Sequence, residues 1–126
     1  MTTAELDYAS KEKLIDAEKL FKNARWEGAH YLCGYSLAFK LKSRICKTLN
    51  WENYKTGDGY GSFKTHGLPV LLSLSGSEFT IKNERGEQWG KVCEWTPEMR
   101  YNTTHSYSVD SASEIINATK ILLNHL

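Results

Sequence analysis

Lys40, Arg44 and Lys47 recur at i, i+4 and i+7, so on a helix three cations share one stripe, with Lys42 close by. Trp51 and Tyr54 follow within a few residues. A row of cations beside aromatic rings is what a surface needs to hold phosphates and stack bases. Positive charge at a helix C-terminus is also what the macrodipole favours, so the same residues fit a solvated helix end. The four histidines, His30, His66, His105 and His125, stand far apart. His30 falls inside a helical pattern and reads as a packing residue. His66 opens a short apolar segment, where it fixes the entry of the chain. His125 lies near the terminus and reads as solvated. Cys33, Cys46 and Cys93 show no Cys-x(2–4)-Cys spacing, and no His-x(3–5)-His pair accompanies them, so no zinc site is expected. Reduced core thiols are the plainer reading.

These residues are positioned by a chain of 126 residues, long enough for one domain with its own core. Hydrophobics at 40% and charged residues at 25% are ordinary for a globular protein. The net charge of +1 points to no partner in bulk. The charge is uneven, however: residues 1–64 hold 11 Lys+Arg against 8 Asp+Glu, and residues 65–126 hold 5 against 7. The polar, acidic start MTTAELDYASKEK lacks the pattern of a signal peptide, and no apolar run approaches the roughly 18 residues of a membrane span. A cytoplasmic protein is expected.

The organising element is the run from Arg25 to Leu49. Trp26, Ala29, Cys33, Leu37, Leu41 and Ile45 form one apolar stripe, and Leu32, Tyr35, Phe39 and Cys46 a second. A helix apolar on two sides must be gripped from both, as the central helix of a bundle is. Before it, residues 4–23 carry a one-sided pattern, with Asp7–Lys11 and Glu18–Lys22 as favourable i,i+4 pairs. Its start falls anywhere between Thr3 and Ser10. The turn near Lys22–Arg25 is short, so the two helices should run antiparallel.

Residues 50–64, with Gly57, Gly59 and Gly61, form a loop. The GxGxG run lacks the strand and helix that flank a phosphate cradle, so a linker is the stronger reading. Residues 65–75 make a short helix, capped by Thr65, with Pro69 in its first turn and Gly76 at its end. Between residues 77 and 95 a helix from about Glu84 to Glu94 is favoured. A short strand at Phe79 and Ile81, or a turn at Asn83–Gly86 joining two pieces, is the alternative. Pro97 breaks helix in the 95–108 connection. Ser111-Ala112-Ser113-Glu114 reads as the capping box of the last helix. The fold expected is all-α, an up-and-down helical bundle of four to five helices in a single domain, residues 1–126.

Four segments together resemble the HEPN family (higher eukaryotes and prokaryotes nucleotide-binding). Leu41-Lys42-Ser43 is similar to the Leu-Lys-Ala that ends the family's small-residue helix. His66-Gly67-Leu68-Pro69-Val70-Leu71-Leu72 resembles its His-x-Leu-x-x-Leu-Leu, and Arg100-Tyr101 the Arg-Tyr before its last helix. The terminal helix closes the pattern. The resemblance implies a HEPN-like helical domain that binds nucleotide or RNA and pairs as a homodimer. It also implies a nucleotidyltransferase-type partner protein in a toxin–antitoxin or defence system, and no cofactor. Lys40, Lys42, Arg44, Lys47, His66 and Tyr101 are the ligand-binding candidates.

The ribonuclease branch of that family carries Arg-x(4–6)-His, which Arg100 and His105 match. In that reading His105 serves as general acid or base at a ribose 2′-hydroxyl, and Arg100 stabilises charge on the phosphate, without a metal. The same spacing recurs at Arg25 and His30, inside the central helical pattern, and Tyr101 follows Arg100 where the family has a polar residue. The binding module is therefore favoured over the endoribonuclease. A non-catalytic scaffold for other proteins is the third reading.

Overall fold

A computed structural model describes residues 1–101 and 107–126, apart from the side chains at 100 and 101. Six α-helices account for most of the described chain: α1 (Thr3–Lys22), α2 (Trp26–Leu49), α3 (Leu68–Ser75), α4 (Glu78–Glu84), α5 (Gly86–Val92) and α6 (Val109–Leu123). Two 3-10 turns, Gly61–Phe63 and Pro97–Tyr101, lie in the connections. The bundle is all-α, as the helical periodicity predicts.

α2 is the hub. It packs along α1 and against α3, α6 and the 3-10 turn at Pro97–Tyr101, while α5 packs on α6. Its stripe at Ala29, Cys33, Leu37, Leu41 and Ile45 is wholly excluded from water. Small residues between the apolar ones, Gly34, Ser36, Ala38 and Ser43, are buried too, so neighbours approach α2 from more than two sides. The α1–α2 hairpin turns at Asn23, the C-cap of α1, and at Ala24, whose φ of 58° reverses the chain. Ser10 faces Ser36, Asp7 faces Lys40 and Leu20 meets Gly28, and only antiparallel helices give that pairing. Ser10 and Ser36 exchange hydrogen bonds to each other's carbonyl at 2.7 and 2.8 Å, so this polar pair is satisfied inside the interface.

Several boundaries differ from the sequence-based expectation, each for a local reason. α1 starts at the early limit because Thr2 and Glu5 form a reciprocal capping box. α6 begins at Val109 rather than at Ser111. Ser108 and Ser111 cap each other's amides at 3.1 and 3.0 Å, with a serine doing the work expected of Glu114. Thr65 does not cap α3. Its hydroxyl accepts from the amide of Gly67, which is itself the N-cap, so Thr65 shapes the turn before the helix. Pro69 does sit in the first turn, and Gly76 ends the helix at φ 80°.

The 77–95 segment folds as two short helices that meet at Arg85, within the expected Asn83–Gly86 turn; α5 covers most of the helix expected from Glu84 to Glu94, and α4 stands where a strand was the alternative. Phe79 is 80% exposed and Ile81 is buried. Residues two apart point to nearly opposite sides of a helix, so α4 satisfies the same alternation that suggested a strand. The expected i,i+4 pairs on α1 are replaced by contacts between helices. Asp7 meets Lys40 and Lys47 of α2, and Glu18 meets Lys120 of α6 at 3.6 Å.

Candidate anion-binding site

The four cations at the end of α2 separate onto different faces. Lys40 and Lys47 reach back to α1, where Asp7 accepts from both at 3.3 and 3.5 Å. Burial alone would raise the Asp7 carboxyl. The Ser43 hydroxyl, Lys40 and Lys47 outweigh it and hold the group below its usual range. Two of the three cations of the predicted stripe are thus engaged within the fold. Arg44, between them, is exposed.

Lys42 points the other way and is only 9% exposed. Its Nζ lies 3.4 Å from Nδ1 of His66 and 5.3 Å from the centre of the Tyr54 ring. Among the described residues no carboxylate comes within ion-pair distance of it. Burial lowers its pKa from the ordinary lysine value. A charged lysine has only donors to offer, so His66 Nδ1 is the acceptor and the imidazole proton sits on Nε2. The direction of the His66 shift agrees. Burial lowers its pKa, the neighbouring Lys42 charge lowers it further, and Glu98 opposes both.

The two residues meet because three segments converge. α2 supplies Lys42. The turn held by Thr65 and Gly67 supplies His66, just ahead of α3. The loop after α2 returns Tyr54, whose amide donates to the Met1 carbonyl at 2.9 Å and whose hydroxyl donates to the Phe63 carbonyl. His66 rests edge-on against Tyr35 at 5.2 Å, and Tyr35 against Trp95 at 5.1 Å. Trp95 lies so tightly over α2 that a β-carbon at Gly34 would fall 1.8 Å from its ring. The aromatic backing of the site therefore depends on a glycine in mid-helix.

The sequence-based candidates divide accordingly. Lys42 and His66, 24 residues apart, are brought into contact. Lys40 and Lys47 are held by Asp7, and Arg44 stands apart from the Lys42 pair. The side chains of Arg100 and Tyr101, and all of His105, lie outside the described residues. In the second Arg-x(4)-His pair, Arg25 is the exposed N-cap of α2 and His30 packs against Tyr107 at 5.3 Å. Tyr35 and Trp95 were not among the candidates. Gly34, a poor helix former inside the longest helical run, is the signal that marks the close approach of Trp95.

A lysine whose charge is buried with a neutral imidazole and aromatic rings suits an anion. Lys42 spends one donor on His66 and turns a second toward Tyr54, leaving a third for a ligand oxygen. The half-buried His66 forms the open lip, with its Nε2 hydrogen as a further donor. Among the described residues no three His, Cys, Asp or Glu side chains converge as metal ligands. No described helix is long and apolar enough to cross a membrane. No family model matches the chain, and comparisons with curated proteins and with solved structures give no match.

Proposed function

We propose that this protein is a helical binding module for the phosphate of a nucleotide or of RNA, with Lys42 and His66 as the recognising pair. The observation that carries the reading is the buried Lys42 ammonium, 3.4 Å from His66 Nδ1 and without a carboxylate partner among the described residues. Lys42 supplies a fixed positive charge in a poorly hydrated setting, and His66 supplies a second donor. A dianionic phosphate offers acceptors to both. The HEPN resemblance supports a homodimer and a nucleotidyltransferase-type partner as the setting in which such a module acts.

Calorimetric titration with nucleoside monophosphates, the matching nucleosides and a short single-stranded RNA tests this. Phosphate-bearing ligands should bind and bare nucleosides should not. Lys42→Met should weaken binding by at least about tenfold, as loss of a hydrogen bond to a charged group does. Equal affinity in the variant would refute the site. The same RNA, recovered and sized, tests for cleavage. Cutting abolished by Arg100→Ala and by His105→Ala would instead assign the protein as a ribonuclease.

A further inference from the structure

The loop between α2 and α3 contains a second arrangement of charge and rings, which adjoins the Lys42 pair through Tyr54, 6.3 Å from Trp51. Trp51 and Tyr60 stand 5.3 Å apart with their ring planes at 87°, forming a right-angled corner. The ammonium of Lys55 occupies it, 5.2 Å from the Trp51 ring and 5.1 Å from the Tyr60 ring. Among the described residues Lys55 has no ion pair, so the two rings are what hold it.

Both walls are fixed by the backbone. α2 ends on Asn50 in the left-handed region, φ 56°, and the Trp51 amide then donates to the Cys46 carbonyl at 2.8 Å. Tyr60 closes a turn onto Gly57 at 2.9 Å, through Gly59 at φ 85°. Phe63 backs the corner, 4.9 Å from Trp51. Gly57 and Gly59, two of the three glycines that suggested a phosphate loop, form the turn that brings Tyr60 back over Trp51. The corner is open to solvent, with Tyr60 36% exposed.

The ring geometry selects the ligand class. A nucleobase held between two rings needs parallel faces, which a right-angled pair does not offer. A compact cation can face both rings at once, as Lys55 does. A primary ammonium stays strongly hydrated, whereas a quaternary ammonium gives up little hydration on contacting aromatic faces. The geometry points to Trp51 and Tyr60 as a two-walled cage for a quaternary ammonium group, with Lys55 as its internal occupant in the free protein.

Tetramethylammonium is the direct probe, followed through the upfield ring-current shift of its methyl protons in NMR titrations. The wild-type protein should bind it weakly. Lys55→Gln, an exposed change that leaves the fold intact by circular dichroism, should bind it about fivefold more tightly. Adding Tyr60→Leu should abolish the shift. No shift with folded Lys55→Gln, or an undiminished shift after Tyr60→Leu, overturns the cage. Choline and a trimethyllysine peptide then separate the two sources of this chemistry. Preference for either over its unmethylated counterpart supports the cage, and equal binding of unmethylated lysine overturns it. None of these readouts depends on Lys42, so the outcome is independent of phosphate binding.

Discussion

A lysine ammonium buried beside a neutral imidazole, with no carboxylate in reach, costs its fold stability. Among the described residues, Lys42 is in that position. Replacing a buried charge by an apolar side chain of similar length is often neutral or stabilising. Lys42→Met should therefore leave the protein at least as stable as the wild type, by up to about 2 kcal/mol in urea denaturation, while it loses phosphate binding. A fall in stability would mean that Lys42 serves the fold. His66 gives the matching pH dependence. Its pKa lies below the ordinary value of 6.5 in the folded chain, so the unfolded chain takes up the proton first as pH falls. Stability should be full above about pH 6.5 and decline as pH drops through that value toward the lower folded pKa. Denaturation curves across this range should show a shallower decline in His66→Asn.

At the scale of elements, α2 is tested where its neighbours come closest. Gly34→Ala would force Trp95 out of its place, and an overpacked site of this kind should cost about 3 kcal/mol or more. Denaturation measures the cost, and near-ultraviolet circular dichroism should report the displaced indole. Ser10 and Ser36 make a second test. Either serine replaced by alanine removes the hydroxyl that donates to the other's carbonyl, at about 1 kcal/mol, and leaves the second hydroxyl its own carbonyl bond but without its 3.3 Å hydroxyl neighbour. The double alanine variant should lose less than the sum of the two singles. An additive result would mean that the two hydroxyls do not stabilise each other.

These elements also explain what could be read from the sequence. The stripe from Ala29 to Ile45 was legible because a 3.6-residue period depends only on the helix itself. The N-terminal limits were harder. Thr2 and Glu5 form a capping box three residues apart, yet the strongest apolar pattern begins only at Leu6. Asp7 was expected to pair with Lys11 along its own helix, and it pairs instead across the hairpin. A single-helix pattern carries no information about that choice. Lys42 was visible as one of four cations, but its burial depends on Tyr54 and His66 folding back from later in the chain. The candidate site was thus half legible. Its residue types were in view, while the contact that separates Lys42 from Lys40 and Lys47 is a product of tertiary packing.

For the molecule as a whole, one helix links both halves of the account. α2 carries the core on its buried faces, holds Asp7 with Lys40 and Lys47 on one side, and presents Lys42 to His66 on the other. The excess of cations in the first half of the chain is therefore partly consumed in holding α1, and only part of it remains for a ligand. The most direct measurement is an NMR pH titration of the His66 ring, with and without a saturating nucleoside monophosphate. The account predicts a pKa below the ordinary histidine value in the free protein, and an upward shift when a phosphate dianion binds beside Lys42. A His66 titration that the nucleotide leaves unchanged would contradict it.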